Sequence, residues 1–205
     1  MDTTRVHHTI TSDCTADVAI IGAGIAGMAT AFEILETTEK KVVMVERWKL
    51  AHGATGHNAG QVFGHFERGL KSLVAEYGLS LASHGQSAIE GAWHTLQHMY
   101  DTAGLDIPFF TFTGYAGFTS RAQIILRLEQ SYLRSLGGLE LEPLCIAENV
   151  DFAWRIPKKY KGLFSVVPNV QIQELLETER TDFVGVLSYK KGVINSALFC
   201  QELLT

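Results

Sequence analysis

The hydrophobic pattern changes period several times along the chain, and each change marks an element. Val18 to Ile21 is a short, partly β-branched aliphatic run of the kind that forms a parallel strand buried on both faces. A glycine turn and an apolar helix reaching Leu35 come next, and Lys41-Val-Val-Met-Val-Glu46 reads as a second strand. Residues 47 to 61 are mostly small and show no period, which makes them a loop suited to close approach of the backbone to another group. Helical spacing returns at Leu70, Leu73, Val74 and Tyr77 and stops near Gly78. A longer helix is predicted from about Ser87 to Ala103, with Trp93 and Met99 as core residues and Gly104 as its left-handed terminator.

The period then changes to that of a sheet. Phe109 to Thr119 is aromatic and rich in threonine, with Gly114 and Gly117 marking a bulge or a tight approach. Ser120 and Gln123 form a capping box for a helix whose stripe is Ile124, Ile125, Leu128, Tyr132 and Leu136, ended by Gly137-Gly138. Between Asp151 and Thr181 no period can be drawn. Phe183 to Tyr189 reads as a strand, Lys191-Gly192 as a turn, and Asn195 as the cap of a final apolar helix.

The chemistry is concentrated near the start. Between the first strand and its helix lies Gly22-Ala23-Gly24-Ile25-Ala26-Gly27, a G-x-G-x-x-G turn. Gly22 permits the tight turn, Gly24 lets the backbone come against a pyrophosphate, and Gly27 lets helix and strand pack closely. The N–H groups and positive dipole end near Gly24 to Gly27 then face the phosphates. No Gly-Lys-Ser/Thr follows, which disfavours a nucleoside-triphosphate loop. Glu46 ends the second strand, where a carboxylate accepts hydrogen bonds from a ribose diol and repels a 2′-phosphate, so NADP fits least well of the dinucleotides. The weakly charged stretch from 16 to 32 is no membrane span, because a spanning helix needs about twenty apolar residues and its glycines weaken any helix.

The loop after Glu46 separates the cofactors. Gly22, Gly24, Gly27, Glu46-Arg47 and Gly53-Ala-Thr-Gly-His-Asn-Ala-Gly60 together resemble the FAD-dependent oxidoreductases of the D-amino-acid oxidase family, which includes glycine and sarcosine oxidases and dimethylglycine dehydrogenase. The resemblance covers essentially the whole chain from Asp17 onward. It implies an α/β fold in which a Rossmann-like FAD-binding domain is joined to part of a second, α+β substrate domain. It also implies FAD as cofactor, with Arg47 near the adenosine, and Ala54, Thr55 and Gly56 giving backbone or hydroxyl contacts to the phosphates. His57 and Asn58 would fall on the isoalloxazine side of the loop. Many members have arginine at the position of His57. In the dimethylglycine dehydrogenase branch a histidine there is bonded covalently to the flavin, so two readings of His57 stay open: a covalent link to the flavin, and a histidine that hydrogen-bonds a phosphate or the loop backbone. The implied reaction oxidises the C–N bond of an amine or amino acid by hydride transfer to flavin. Neither the catalytic side chains nor the electron acceptor can be read from the sequence.

On this reading residues 1–15 form a mobile tail, 16–105 the N-terminal part of the FAD domain, 106–190 a partial substrate domain, and 191–205 a segment returning toward the FAD domain. The last helix is still apolar at Leu204, and the resemblance implies a long C-terminal part after it, so the chain reads as an N-terminal fragment, or as a subunit needing a partner chain.

Composition adds exclusions. A net charge of −5 gives no electrostatic reason to expect nucleic acid, and Lys158-Lys159-Tyr160-Lys161 reads as a solvated loop. His94 and His98 lie four apart on a helix, but no third ligand accompanies them, so no metal is expected. Cys14, Cys145 and Cys200 are odd in number and scattered, which suits a reducing compartment, and no secretory signal core precedes them; a cytoplasmic location is expected. Three readings stay open: a fragment of an FAD-dependent amine oxidoreductase, a non-catalytic or partner-dependent FAD-binding subunit, and an NAD-binding dehydrogenase domain.

Overall fold

The computed structural model describes residues 9–152 and 155–204 and divides the chain into two compact units. One runs to Ala59 and resumes at Asn195, and the other runs from Gly60 to Ile194. Both predicted helices of 70–103 lie within the second of these units. Of the expected tail, residues 1–8 lie outside the described residues, and 9–15 are exposed and without helix or strand.

In the first unit, β1 (Val18–Ile21) and β2 (Val42–Val45) pair in parallel from Val18 opposite Val42 to Ile21 opposite Val45. The helix α1 (Ile25–Thr37) crosses between them and buries Met28 and Ala31. Among the described residues no other strand joins this sheet. This is why β1, expected to be covered on both faces, leaves Ile21 at 90% exposure.

The second unit is built on a longer ladder. Its strands are β3 (Gln61–Phe63), β4 (Phe109–Phe118), β5 (Leu144–Ala147), β6 (Ser165–Val167) and β7 (Gly185–Ile194). The strand β7 is the centre: β4 runs antiparallel along it from Phe109 opposite Ile194 to Phe118 opposite Gly185, and β3 and β5 pair with its other edge. The helices are α2 (Leu70–Tyr77), α3 (Leu79–Ala103), α4 (Arg121–Leu136) and α5 (Asn169–Leu175). Ile124 and Leu128 of α4 pack with Phe118, Leu144, Ile146 and Leu187 in the main core, while α5 brings Ile172 against Ala147 and Val186. The chain then returns to the first unit as α6 (Ser196–Leu203), where it packs against α1. No helix of the described residues is long and apolar enough to cross a membrane.

Several predicted boundaries are met. The helix of 70–77 ends at Gly78, whose φ is +78°, and Ser120 and Gln123 form the capping box at the start of α4. Others are corrected. The helix α3 starts at Leu79 instead of Ser87, because its first turns bury Ala82, Ser83 and Gln86, a face too polar to show as a hydrophobic stripe. On α4 the inner face ends with Arg134, buried and paired with Glu90 at 2.7 Å, while Leu136 is exposed. Lys191-Gly192 is no turn, since β7 runs straight through it. A Cβ on Gly192 would lie 3.0–3.1 Å from the rings of Phe109 and Trp93, so this glycine makes room for aromatic rings. Gly114 and Gly117 likewise lie in an unbulged ladder, close against Tyr189 and Phe183.

Candidate functional site

The glycine turn is fixed by backbone sterics. Gly22 has φ +102°, a region closed to most side chains, and a Cβ on Gly27 would stand 2.1 Å from the Gly22 carbonyl oxygen. Helix α1 thus begins close against β1, with Gly24 as its N-cap, which has no side chain of its own to cap it. The first-turn N–H groups of a helix have no intrahelical acceptor. Here the Ile25 N–H donates to Thr55 Oγ1 at 3.0 Å, no acidic residue occupies the turn, and the dipole end is left favourable to an anion.

Glu46 closes the turn from β2. Its Oε2 accepts from the Ala23 N–H and its Oε1 from the Trp48 N–H, both at 2.9 Å. These bonds, the Ala23 one first, hold its carboxyl below the ordinary glutamate range. A carboxylate has about four acceptor sites, so two bonded N–H groups leave room for further donors. Ala23 itself is buried, and its carbonyl accepts from the Ala51 N–H.

The loop residues fold into a short helical turn, Ala54–His57. Thr55 is buried; its hydroxyl accepts from Ile25, which leaves its own hydrogen to donate. A Cβ on Gly56 would meet the Ala51 carbonyl oxygen at 2.4 Å, and Ala51 takes a positive φ of 56°. His57 Nδ1 lies 2.9 Å from the Gly53 carbonyl oxygen. A carbonyl only accepts, so Nδ1 is the donor in this contact. Asn58 donates to the carbonyls of Ala54 and Thr55, and its Oδ1 accepts from Ser196 Oγ at 2.9 Å. Its amide therefore braces its own turn.

A cavity of about 230 Å³ is lined by Gly24, Glu46, Arg47, Ala54 and Thr55 together with Trp48, Ala51, His52 and Gly53. Of the residues singled out from the sequence, Gly22, Ala23, Ile25, Ala26 and Gly27 build the turn behind it. His57 joins its wall through the His52 ring, with centroids 5.5 Å apart. Sequence reasoning missed Trp48, His52, Ala51 and Ser196. Aromatic rings in a loop of small residues were a usable signal for the first two. Nothing local marks Ser196, which reaches the Thr55 carbonyl from 141 residues away in the chain. Among the described residues no cluster of His, Cys, Asp and Glu could hold a metal, and His94 and His98 are exposed.

A parallel strand pair with a glycine turn, an anion-receptive helix start and a carboxylate at the next strand end defines a dinucleotide-binding α/β protein. The chain belongs to the family of FAD dependent oxidoreductases (DAO), which it matches over residues 17–205. It is 38% identical over 63 residues to the probable oxidoreductase OrdL of Haemophilus influenzae, covering 31% of this chain and 14% of that protein. It is 30% identical over 74 residues to gamma-glutamylputrescine oxidoreductase of Escherichia coli, covering 36% of this chain and 17% of that protein. The fold resembles glycine oxidase from Bacillus cereus, with a TM-score of 0.55 and 18% identity over 92% of this chain and 44% of that one. L-amino acid deaminase from Proteus vulgaris is similar too, with a TM-score of 0.56 and 16% identity, over 92% of this chain and 43% of the other. The chain thus spans under half the length of these relatives.

Proposed function

We propose that this chain binds FAD through the Gly22–Gly27 turn, Glu46 and the 47–58 loop, and forms the cofactor-binding part of an oxidoreductase acting on an amine or amino acid. The observation that carries the reading is the junction of Glu46 with the glycine turn. One carboxylate receives the turn's Ala23 N–H and still offers acceptor sites beside the open start of α1.

The residues present fit the cofactor. The helix start receives the pyrophosphate between Gly24 and Gly27, and a side chain at 24 would crowd it, since a Cβ there would already stand 3.1 Å from Thr55 Oγ1. Thr55 donates its free hydroxyl hydrogen to a phosphate oxygen, and Glu46 accepts from the ribose hydroxyls, while the Gly56 N–H is spent on the Gly53 carbonyl within the turn. Arg47 adds positive charge near the adenosine. When bound, FAD supplies the two-electron chemistry, and the protein supplies binding, orientation and electrostatics. The amine or amino-acid substrate class is supported by the names of the similar proteins: a gamma-glutamylputrescine oxidoreductase, a glycine oxidase and an L-amino acid deaminase. A partner chain or further polypeptide supplying the remaining half belongs to the same proposal.

The bond from His57 Nδ1 to the Gly53 carbonyl supports a histidine that braces the loop backbone, and a covalent flavin is the second reading, in which Nε2 would be the bonding atom. One experiment addresses both readings. Visible spectra of the purified protein, with and without added FAD, are expected to show flavin bands in wild type and none in Gly24→Val. Absence of flavin in wild type overturns FAD binding by this chain. Acid-precipitated wild type that stays yellow supports the covalent bond, and complete release of flavin into the supernatant ends it.

A further inference from the structure

The cavity beside Glu46 carries one group that the phosphate and ribose contacts leave unused. Trp48 lies on its wall with 69% of its surface exposed. A lone exposed aromatic on a protein surface needs no explanation. This one is different, because its backbone is tied by its N–H to Glu46 Oε1 and its ring is braced by His52, edge to face at 6.2 Å between centroids. His52 in turn meets His57 edge to face, so three rings stand side by side along the loop. A flat aromatic surface, held at its backbone and along one side and otherwise open to a cavity, suits a flat ligand.

The order of groups in the cavity says which flat ligand. Phosphate is received at Gly24 and the ribose diol at Glu46, and the base hangs from the same ribose, one bond beyond the ring. The residue hydrogen-bonded to the Glu46 carboxylate on the side away from the glycine turn is Trp48. We infer that Trp48 is the stacking platform for the adenine ring and makes this site selective for adenine-bearing flavin over flavin mononucleotide. The inference rests on the FAD reading above. Stacking needs only a π-face on the base, and one base on one aromatic side chain changes affinity roughly tenfold or more.

The test is titration of wild type, Trp48→Phe and Trp48→Ala with FAD, ADP and flavin mononucleotide, followed by equilibrium dialysis and by tryptophan emission. Trp48→Ala is expected to weaken FAD and ADP alike by about tenfold while leaving flavin mononucleotide binding unchanged. Trp48→Phe should keep most of the affinity and lose the ADP-dependent quenching of tryptophan emission seen in wild type. Thermal melts of the variants report their folding independently, and an exposed side chain should leave them unchanged. If wild type binds FAD and Trp48→Ala binds FAD and ADP equally tightly, the platform is overturned and the FAD reading stands. If wild type binds neither FAD nor ADP, both fall together.

Discussion

Glycine does opposite work in the two units. Around the glycine turn of the first unit, glycines let backbone approach backbone: Gly27 stands against the Gly22 carbonyl and Gly56 against the Ala51 carbonyl, at Cβ distances of 2.1 and 2.4 Å. In the sheet of the second unit they make room for rings: Gly114 for Tyr189, Gly117 for Phe183, Gly192 for Phe109 and Trp93. A carbonyl in a turn cannot move without breaking the turn, whereas a ring at a partly exposed position can rotate away. The first unit stores its specificity in a backbone path with few large buried side chains. The second stores it in packed side chains, among them Ile124, Leu128, Ile146, Ile172 and Val186, which have no exposed surface.

The largest expected effect comes from Gly27→Ala. Alanine in a helix interior is ordinarily favoured over glycine by about 1 kcal/mol, but here its Cβ would penetrate a carbonyl oxygen. A net loss on the order of 2–4 kcal/mol is expected in urea melts, with loss of FAD uptake. Uptake equal to wild type would show that the turn opens cheaply and would break the comparison.

Gly114→Ala sharpens it from the other side. Its Cβ would come 3.0 Å from the half-buried Tyr189 ring, which can swing, and the glycine entropy penalty in a strand is relieved. A change within about 1 kcal/mol of either sign is expected. A loss as large as that of Gly27→Ala would place the sheet glycines in the same class as those of the turn.

The smallest effect is in pH. Glu46 has its folded-state pKa below its unfolded value, held there by the N–H groups of Ala23 and then Trp48. Its contribution is therefore complete above the ordinary value of 4.5 and is lost as pH falls through the lower folded value. Urea melts of wild type and Glu46→Gln should differ by a constant amount near neutrality and converge below that range. A difference that persists unchanged at the most acid pH would mean that the carboxylate charge has no part in holding the turn.

The elements around the turn were legible because each has a local cause. The short aliphatic runs, Gly22, Gly24 and Gly27 act through chain neighbours, Glu46 stands at a fixed place after them at the end of the next strand, and the caps at Ser120 and Asn195 act within one helical turn. Residues 151–181 were not legible, because β6 and α5 are three and seven residues long and owe their form to the sheet edge and core they meet. The first turns of α3 were hidden for a related reason, since a buried Ser83 and Gln86 look solvent-facing until a partner helix is known.

The sequence by itself determined the glycine turn, the carboxylate that closes it and the family, since backbone conformation at glycine and charge at a strand end are properties of single residues and their neighbours. Only the tertiary structure decided that β7 continues through Gly192 and that Asn58 braces its own turn. It also decided that Ser196, far along the chain, locks the loop through Thr55. Those outcomes depend on which atoms meet after the chain returns, and no local pattern encodes a meeting across 141 residues.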